Sequence, residues 1–262
     1  MGIIERKERE KEARRSLILD ATERVFQGKG IQQTTMDDIA REAELAKGTI
    51  YLYYRNKEEL QVGIMLRAVD MMNDGFQKAV EKENLGIKKI IAIGDAYWSF
   101  AAEHPFHFGM MCNADLPMRD QISEELLAEM NESNSWIWNL LISTIEEAKL
   151  EGTIKPEIDG FSSSMLLWLN TMSVLRLYQK VQDSMKKGGS IMHKKAFNFC
   201  TLDFRKMYDL SSGVLMTHIV TPEGAKYLSP LHFPSMEELG ISPESSAENI
   251  NRKAEKDEPA LA

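Results

Sequence analysis

The fold assignment depends on residues 47–60, KGTIYLYYRNKEEL. Their pattern fits either a strand or a helix. On a strand, Ile50, Leu52 and Tyr54 would share one face. On a helix, at about 100° per residue, Ile50 and Tyr54 lie on one side, and Gly48 and Leu52 lie on the other. No other part of the chain has the pattern of a strand that would pair with it. The sequence therefore predicts a short helix here, starting at residue 46.

The segment before this helix predicts two further helices. Apolar residues recur at helical spacing from Leu17 to Val25 and predict a first helix over residues 9–27. The sequence Gly-Lys-Gly at 28–30 ends it, because glycine readily adopts the left-handed conformation beyond a helix C-terminus. Thr35, followed three residues later by Asp38, has the spacing of a capping box and predicts a second helix from residue 36.

A fourth helix begins after the stretch of tyrosines. Asn56 is a favourable N-cap, and Glu59 stands at the capping-box position, with its charge near the positive end of the helix. This helix is predicted to continue to residue 83. Three short helices and a tight turn within about 60 residues are the layout of a helix-turn-helix module.

The rest of the chain is also predicted to be helical, which makes the fold class all-α: an N-terminal three-helix helix-turn-helix domain and a larger helical domain. Apolar periodicity and the prolines at the joints give the element boundaries. The predicted helices cover residues 86–103, 105–113, 119–151, 159–185 and 194–218. The predicted domains are 1–60 with a basic N-terminal arm, 61–220, and a Pro/Ser/Glu-rich, partly disordered tail over 221–262.

Composition restricts the class of protein. The net charge is −8, yet residues 1–60 carry equal numbers of acidic and basic side chains, so the acidic excess lies beyond them. Two cysteines are too few for a disulfide framework. The charged start predicts no secretory signal, and the most apolar stretch is too short for a membrane span. We therefore expect a cytoplasmic protein without membrane contact.

Motifs for catalysis or cofactor binding are absent from the sequence. There is no Ser-His-Asp set and no dinucleotide fingerprint, and GKGIQQTT at 28–35 lacks the P-loop spacing. Glu103, His104, His107 and Cys112 match no defined metal site, so a structural role is favoured. The sequence predicts no enzyme activity, no cofactor and no metal.

Gly48 indicates what the third helix does. A glycine inside a helix costs about 1 kcal/mol relative to alanine, and Gly48 lies opposite the predicted core face. Close approach to a DNA duplex would explain it, with Lys47 supplying charge and the helix N-terminus supplying amide donors for phosphate. Thr49 and the Tyr51 hydroxyl are suitable contacts to the DNA backbone. Partial burial is the alternative explanation for Tyr51 and Tyr53.

The stretch from RRSLILDATERVFQGKG through TTMDDIAREA to KGTIYLYYRNKEEL resembles the DNA-binding domain of the tetracycline-repressor (TetR) family of regulators. The resemblance covers roughly residues 14–62, about a fifth of the chain. It implies phosphate contacts at Thr35 and Lys57. Its recognition-helix contacts would be Lys47, Gly48, Thr49, Tyr51 and Tyr53. Position 52 departs from the family pattern, since Leu52 offers only apolar contact, suited to thymine methyl groups.

The same resemblance implies a homodimer on an operator in double-stranded DNA, and a small-molecule effector in the larger domain. Dimerisation would fall to the helices over 159–185 and 194–218. Fourteen of the 16 methionines and all four tryptophans lie beyond residue 60; they form either ordinary helical core or an adaptable apolar pocket. The residues assigned to the pocket are Asp95, Tyr97, Phe100, His107, Phe108, Met111, Trp138, Asn139 and Trp168.

The sequence therefore predicts a dimeric, ligand-responsive transcriptional regulator, a repressor more readily than an activator. Two alternatives stay open. The regulator could respond to a protein partner through its Pro-rich tail. Alternatively, the chain could be an all-α carrier of hydrophobic ligands, whose N-terminal helices serve only for interaction.

Overall fold

The structure is a computed structural model that describes residues 2–113, 119–186 and 202–229. Within these ranges it contains helices and one isolated antiparallel bridge, Ile154 to Val220, but no strand. The predicted all-α fold is confirmed. The helices are α1 (Ile3–Lys29), α2 (Met36–Glu42), α3 (Lys47–Tyr51), α4 (Lys57–Val80), α5 (Gly86–Glu103), α6 (Pro105–Asn113), α7 (Glu124–Leu150), α8 (Gly160–Lys186), α9 (Phe204–Ile219) and α10 (Pro222–Ala225).

Most boundaries agree with the sequence prediction to within about three residues, but several elements differ. Helix α1 begins at Ile3, six residues before the predicted start. The helix predicted over 119–151 is a short 3₁₀ turn, Arg119–Gln121, followed by α7. Helix α10 was not predicted, although Thr221 caps it and Pro222 occupies its first turn. Residues 194–201 and most of the predicted tail lie outside the described residues.

The third segment is a helix, as predicted, but a shorter one. Helix α3 spans five residues and ends at Tyr51, so Leu52, Tyr53 and Tyr54 follow it in a turn. The turn that precedes α3 holds Glu44 at φ 54, in the left-handed region. A tight turn between α2 and α3 is what the helix-turn-helix layout requires.

The predicted helix ends are confirmed in detail. Gly30 closes α1 with φ 80, and its N–H donates to the carbonyl of Phe26 at 2.9 Å. The Thr35 and Asp38 side chains form the reciprocal capping box of α2. The Asn56 Oδ1 accepts from the backbone N–H of Glu59 at 2.7 Å at the start of α4. Local side-chain chemistry therefore fixes where these helices begin and end.

The described residues pack as two compact units, one drawn from residues 1–77 and 100–137 and the other from residues 78–99 and 138–262. This division follows packing, and the functional boundary predicted at residue 60 stays a prediction. The core of the first unit joins α1, α2 and α3 through fully buried residues that include Ile18, Ile39 and Ile50.

The second unit has its own core around α5, α7 and α9. Ile87, Ile145 and Ile219 are buried there. Gly86 permits the close packing of α5 on α7, because a Cβ on it would lie 2.5 Å from the backbone nitrogen of Ala148. In the described part of the chain, no helix is both long and apolar enough to cross a membrane.

Candidate nucleic-acid interface

Helix α3 presents two different sides. Ile50 is fully buried and Tyr54, just beyond the helix, is 1% exposed. Leu52 is 83% exposed and Tyr51 is 44% exposed. The side predicted to enter the core is therefore buried, and the side predicted to face outward is open. Leu52 and Tyr51 therefore form a small exposed apolar area on the outer side of α3.

Packing does not account for Gly48. A Cβ built on Gly48 would meet nothing within 4 Å, and its φ is not in the left-handed region, since the positive-φ glycines among the described residues are Gly30 and Gly152. Neither neighbouring atoms nor backbone geometry requires a glycine here. The helix therefore carries a propensity cost of about 1 kcal/mol with no gain inside the monomer.

Lys47 lies at the first position of α3 and is exposed. Its Nζ forms an ion pair with Asp37 Oδ1 at 2.7 Å, and this hydrogen bond raises the pKa of Lys47. Asp37 is itself exposed and belongs to the first turn of α2. The ammonium group is therefore charged and positioned between α2 and α3, where a phosphate oxygen would compete with the carboxylate.

Lys57, the other lysine predicted to contact phosphate, has partners within the monomer. Its Nζ donates to the carbonyl oxygens of Ile31 at 2.9 Å and Gln32 at 3.4 Å. It therefore holds the start of α4 against the loop that leads from α1 to α2. The sequence alone does not indicate this structural function, because the loop carbonyls become neighbours only in the folded unit.

Thr35 likewise takes part in local bonding. Its Oγ1 accepts from the N–H of Asp38 at 3.2 Å and donates to Asp38 Oδ2 at 2.5 Å. Hydrogen bonds from Lys29 and Thr35 hold the pKa of Asp38 well below its usual range. The Thr35 side chain is exposed, while Thr49 and Tyr53 are half-buried. All three stay predicted contacts.

Glu59 plays a larger part than the sequence indicates. Its side chain is 2% exposed and accepts from the backbone N–H of Arg55 at 2.6 Å, from Arg55 Nε at 2.7 Å and from the N–H of Ser123 at 3.0 Å. Burial alone would raise the pKa of Glu59, but these hydrogen bonds outweigh it and lower the pKa. The carboxylate thus joins the turn after α3 to the start of α7.

Sequence reasoning also missed Arg41 as a possible contributor to this surface. The residue lies in the last turn of α2, and its side chain is 79% exposed, with a 3.7 Å contact to Asp38. Its basic character and its position on the polar face of α2 were available as signals. It adds an exposed positive charge to the element that precedes α3.

The residues predicted to bind a ligand divide between the two units. In the first unit, Phe100 and Phe108 are buried and Met111 is half-buried. His107 contacts the carboxylate of Glu23, with Nε2 and Oε1 3.2 Å apart. These side chains belong to a packed core with one polar contact. Packing therefore explains the burial of most of them without a ligand.

In the second unit, the Tyr97 hydroxyl donates to Met172 Sδ at 2.8 Å, and Asp95 forms an ion pair with Arg205 at 2.6 Å. Trp138 and Trp168 lie with ring centroids 5.8 Å apart. Asn139 is exposed. The pocket assignment of each residue stays a prediction. Across the described ranges, no group of three or more His, Cys, Asp or Glu side chains is arranged to hold a metal ion.

Comparison with known proteins gives independent information on the helix-turn-helix segment. Residues 18–62 match the model of the bacterial regulatory proteins of the tetR family. An HTH-type transcriptional regulator of Haemophilus influenzae, itself uncharacterised, is 27% identical over 162 residues, covering 54% of this chain and 87% of its own. The fatty acid metabolism regulator protein of Bacillus subtilis is 26% identical over 143 residues, covering 54% of this chain and 71% of its own.

A solved structure adds agreement in fold. The transcriptional regulator FadR from Bacillus subtilis, in complex with stearoyl-CoA, matches with a TM-score of 0.52 at 21% identity, covering 61% of this chain and 84% of that one. The matched segment, 18–62, contains α2, α3 and the outward-facing residues described above. The helix-turn-helix segment therefore matches the tetR family of bacterial regulatory proteins, and the relatives to which the chain is similar are helix-turn-helix transcriptional regulators.

Proposed function

We propose that the protein is a dimeric repressor that binds an operator through α3. Its affinity for DNA changes when a small, largely apolar effector binds the C-terminal helical part. One observation carries the DNA-reading proposal: α3 leaves Gly48 and Leu52 open on the side opposite its buried Ile50. Packing within the monomer does not require Gly48 and does not cover Leu52. Both features are consistent with a helix whose outer side binds another molecule.

The chemistry of this outer side favours a DNA major groove. Lys47 provides a cation for a phosphate, and the Tyr51 hydroxyl can donate to a phosphate oxygen. Leu52 has only methyl groups to offer, which match thymine methyls in the major groove. Gly48 allows the backbone of α3 to approach the duplex closely. Thr35, Thr49 and Tyr53 would add backbone contacts around this centre.

The second unit supplies the material for an apolar effector site. Two aromatic groups lie there, Trp138 with Phe161 and Trp168, and Trp98 with Tyr178 and Tyr208; the centroid distances are 5.3–6.0 Å. The relative from Bacillus subtilis is named for fatty acid metabolism, and the matching FadR structure contains stearoyl-CoA. A long-chain acyl-CoA is therefore the first effector to test.

Helices α8 and α9 carry the proposed dimer surface. On α8, Phe161, Leu166 and Leu169 are each about half exposed, and Val214 on α9 is 43% exposed. No charged residue occurs on α8 before Arg176. An exposed apolar surface without charges favours association with a second protein copy. In a dimer, two α3 helices would enter successive major grooves about 34–36 Å apart.

DNA binding can be tested before any operator has been identified. Wild-type protein is used to select duplexes from a randomised pool, and the selected duplex is compared with a scrambled one by fluorescence anisotropy at several salt concentrations. Tight, salt-dependent preference for the selected duplex, with a two-fold symmetric site, is the expected result. Equal weak binding to both would favour the carrier alternative over the regulator.

The effector proposal is tested on the same duplex. Stearoyl-CoA is titrated into the protein–DNA complex, with free coenzyme A and a short acyl-CoA as controls. A change in operator affinity of 5- to 150-fold, corresponding to about 1–3 kcal/mol of coupling, is expected for the long chain alone. A change produced equally by free coenzyme A would contradict an apolar effector. The alternative of a protein partner involves the tail, residues 221–262, most of which lies outside the described residues.

A further inference from the structure

A carboxylate lies beside the lysine that α3 is proposed to offer to DNA. Asp37, in the first turn of α2, places its Oδ1 2.7 Å from Lys47 Nζ. The Asp37 side chain is 59% exposed and the Lys47 side chain is 51% exposed. The ion pair therefore lies in solvent on the surface of α2 and α3, and it is not part of their core.

The fold of the first unit has other supports at this point. Thr35 and Asp38 form the capping box of α2, and Ile39 and Ile50 are buried in one core. A negative charge in the first turn favours a helix, but Asp38 supplies one in the same turn. Exposed ion pairs contribute little to folding, because solvent screens the attraction and ordering two flexible side chains costs entropy. Folding therefore gives only a minor reason for the carboxylate of Asp37.

Of the two cations on α2 and α3, Lys47 is the more closely paired. Arg41, the other one, approaches a carboxylate oxygen of Asp38 only to 3.7 Å, and its side chain is 79% exposed. Lys47 lies at the first position of α3, where a phosphate contact is proposed. The carboxylate of Asp37 therefore opposes DNA binding at the cation that α3 itself supplies.

A DNA phosphate and the Asp37 carboxylate compete for the same ammonium group. Lys47 Nζ has several N–H donors and could contact two anions at once. Two negative charges held side by side on it would repel each other, so contact with a phosphate favours withdrawal of the carboxylate. Breaking the ion pair costs free energy whenever a phosphate replaces the carboxylate. DNA affinity is reduced by that amount on any duplex.

We propose that Asp37 is an autoinhibitory residue of the DNA-binding surface, whose carboxylate competes with DNA phosphates for Lys47 and so lowers affinity for every duplex. The inference rests on the proposed DNA binding by α3 and adds a residue that limits it. Because the competition concerns a phosphate contact and no base, Asp37 does not change which sequence is preferred. With the affinity limited in this way, a moderate further decrease, such as that expected from an effector, suffices to empty the operator.

The test is a double-mutant cycle of Asp37→Ala, Lys47→Ala and the two changes together. Alanine is chosen because an asparagine amide could itself donate to a phosphate. Glu42→Ala is the matched control, since Glu42 lies on the same helix, about 7.5 Å further along its axis and roughly 140° around it. The Glu42 carboxylate pairs with Arg24 of α1 at 2.6 Å. The control therefore removes the same charge without freeing a cation of α3.

Affinities are measured by fluorescence anisotropy on the selected duplex and on the scrambled one, and urea denaturation checks that each variant is folded. Asp37→Ala is expected to tighten binding to both duplexes by about two- to fivefold for each bound protomer, as the loss of an exposed competing ion pair implies. Glu42→Ala should change affinity by roughly 1.5-fold or less, because salt screens a charge that pairs with no proposed phosphate contact. In the Lys47→Ala background, Asp37→Ala should do no more than this control.

Three results would overturn the inference while leaving DNA binding by α3 intact. A folded Asp37→Ala variant with wild-type affinity would show that no competition exists. Equal gains from Asp37→Ala and Glu42→Ala would assign the effect to net charge, and a gain undiminished without Lys47 would assign it to direct repulsion of DNA. Failure of the wild-type protein to select any duplex would overturn the proposed function and this inference together. The wild-type titration therefore separates the two proposals.

Discussion

Helices α3 and α8 both expose leucines, yet their surroundings differ in every other respect. Leu52, beside α3, lies near Lys47, the exposed Tyr51 and an unobstructed Gly48. On α8, Leu166 and Leu169 belong to a helix of 27 residues with no charge in its first half. The first surface combines cations and donors with a small apolar area, and the second is apolar and neutral.

The difference indicates two kinds of partner. A polyanion requires cations and hydrogen-bond donors, with apolar contact only where a methyl group is met. A second protein copy requires a broad apolar area without uncompensated charge. Exposure of a large apolar side chain is therefore uninformative alone, and the residues around it carry the information.

Introducing charge on α8 is expected to have the largest effect. Leu166→Glu/Leu169→Glu would place like charges opposite each other in the proposed dimer, at a cost of several kcal/mol. With about 4 kcal/mol, the dimer dissociation constant rises roughly a thousandfold. Sedimentation equilibrium measures it, and operator affinity should fall with dimerisation.

Leu150→Glu is the matched control for this variant. Leu150 ends α7 and is 92% exposed, so the same chemical change is made at a more accessible leucine outside α8. It should leave the dimer intact. Equal weakening of the dimer by both changes, or by neither, would remove α8 from the interface.

The second prediction concerns how α3, with only five residues, is held in place. Glu59→Gln removes the negative charge of a carboxylate that accepts hydrogen bonds from two backbone N–H groups and from the Arg55 side chain. Hydrogen bonds to charged groups contribute about 1.5–3 kcal/mol, so the free energy of unfolding should fall by about 2–3 kcal/mol at pH 7. Urea denaturation measures this. Glu58→Gln, one residue earlier, is the control.

The sign of its pH dependence follows from the lowered pKa. The folded pKa of Glu59 lies below the ordinary value of 4.5, so its contribution is complete above about pH 4.5 and is lost as the pH falls through the folded pKa. The difference in stability between wild type and Glu59→Gln should therefore narrow below about pH 4.5. A constant difference between about pH 7 and pH 3.5 would show that packing, not charge, is responsible.

Much of the first unit was predictable because its signals are local. The capping pair Thr35 and Asp38, the closing Gly30 and the Asn56 cap depend on residues three or four apart, and all are confirmed. The orientation of α3 was predictable for the same reason, since Ile50 and Tyr54 are one helical turn apart. These features need no information from distant parts of the chain.

Other features depend on contacts between distant residues and were not predictable. Lys57 binds carbonyls 25 and 26 residues earlier, and Glu59 binds the N–H of Ser123, 64 residues later. From the sequence alone, the aromatic residues and methionines beyond residue 60 are equally compatible with a helical core and with a ligand pocket. Periodicity identifies a buried side of a helix, but it does not identify what covers that side.

The third prediction separates folding from binding at Gly48. Gly48→Ala should raise the stability of α3 by up to about 1 kcal/mol, because alanine favours a helix and its methyl group meets no atom. The same methyl group would obstruct close approach to DNA and is expected to weaken operator binding about tenfold, roughly 1.4 kcal/mol. Thermal unfolding and anisotropy measure the two effects. If the Gly48→Ala variant is stabilised and binds the operator with wild-type affinity, the DNA does not closely approach α3 at Gly48.

The fourth prediction compares two lysines that look alike in sequence. Lys47→Ala should weaken binding to all duplexes and lower the salt slope by about one unit per protomer, with little change in stability. Lys57→Ala should also lower stability by about 1 kcal/mol, because it removes a charge-assisted bond to the carbonyl of Ile31. Urea denaturation and salt titrations are compared for both. Equal loss of stability in the two variants would contradict this distinction.

The smallest effect is expected at Leu52, and it is the one that concerns sequence reading. Leu52→Ala removes an 83% exposed side chain, so the free energy of unfolding should change by less than about 0.5 kcal/mol. Because its methyl groups are proposed to meet thymine methyls, the variant should discriminate less between thymine and the other bases at one position of the half-site, by about 1 kcal/mol. Competition binding with single-base variants of the selected duplex measures this, and Leu150→Ala provides the control. A uniform loss of affinity at all positions would assign Leu52 to general contact, and the apolar part of the α3 surface would then resemble that of α8.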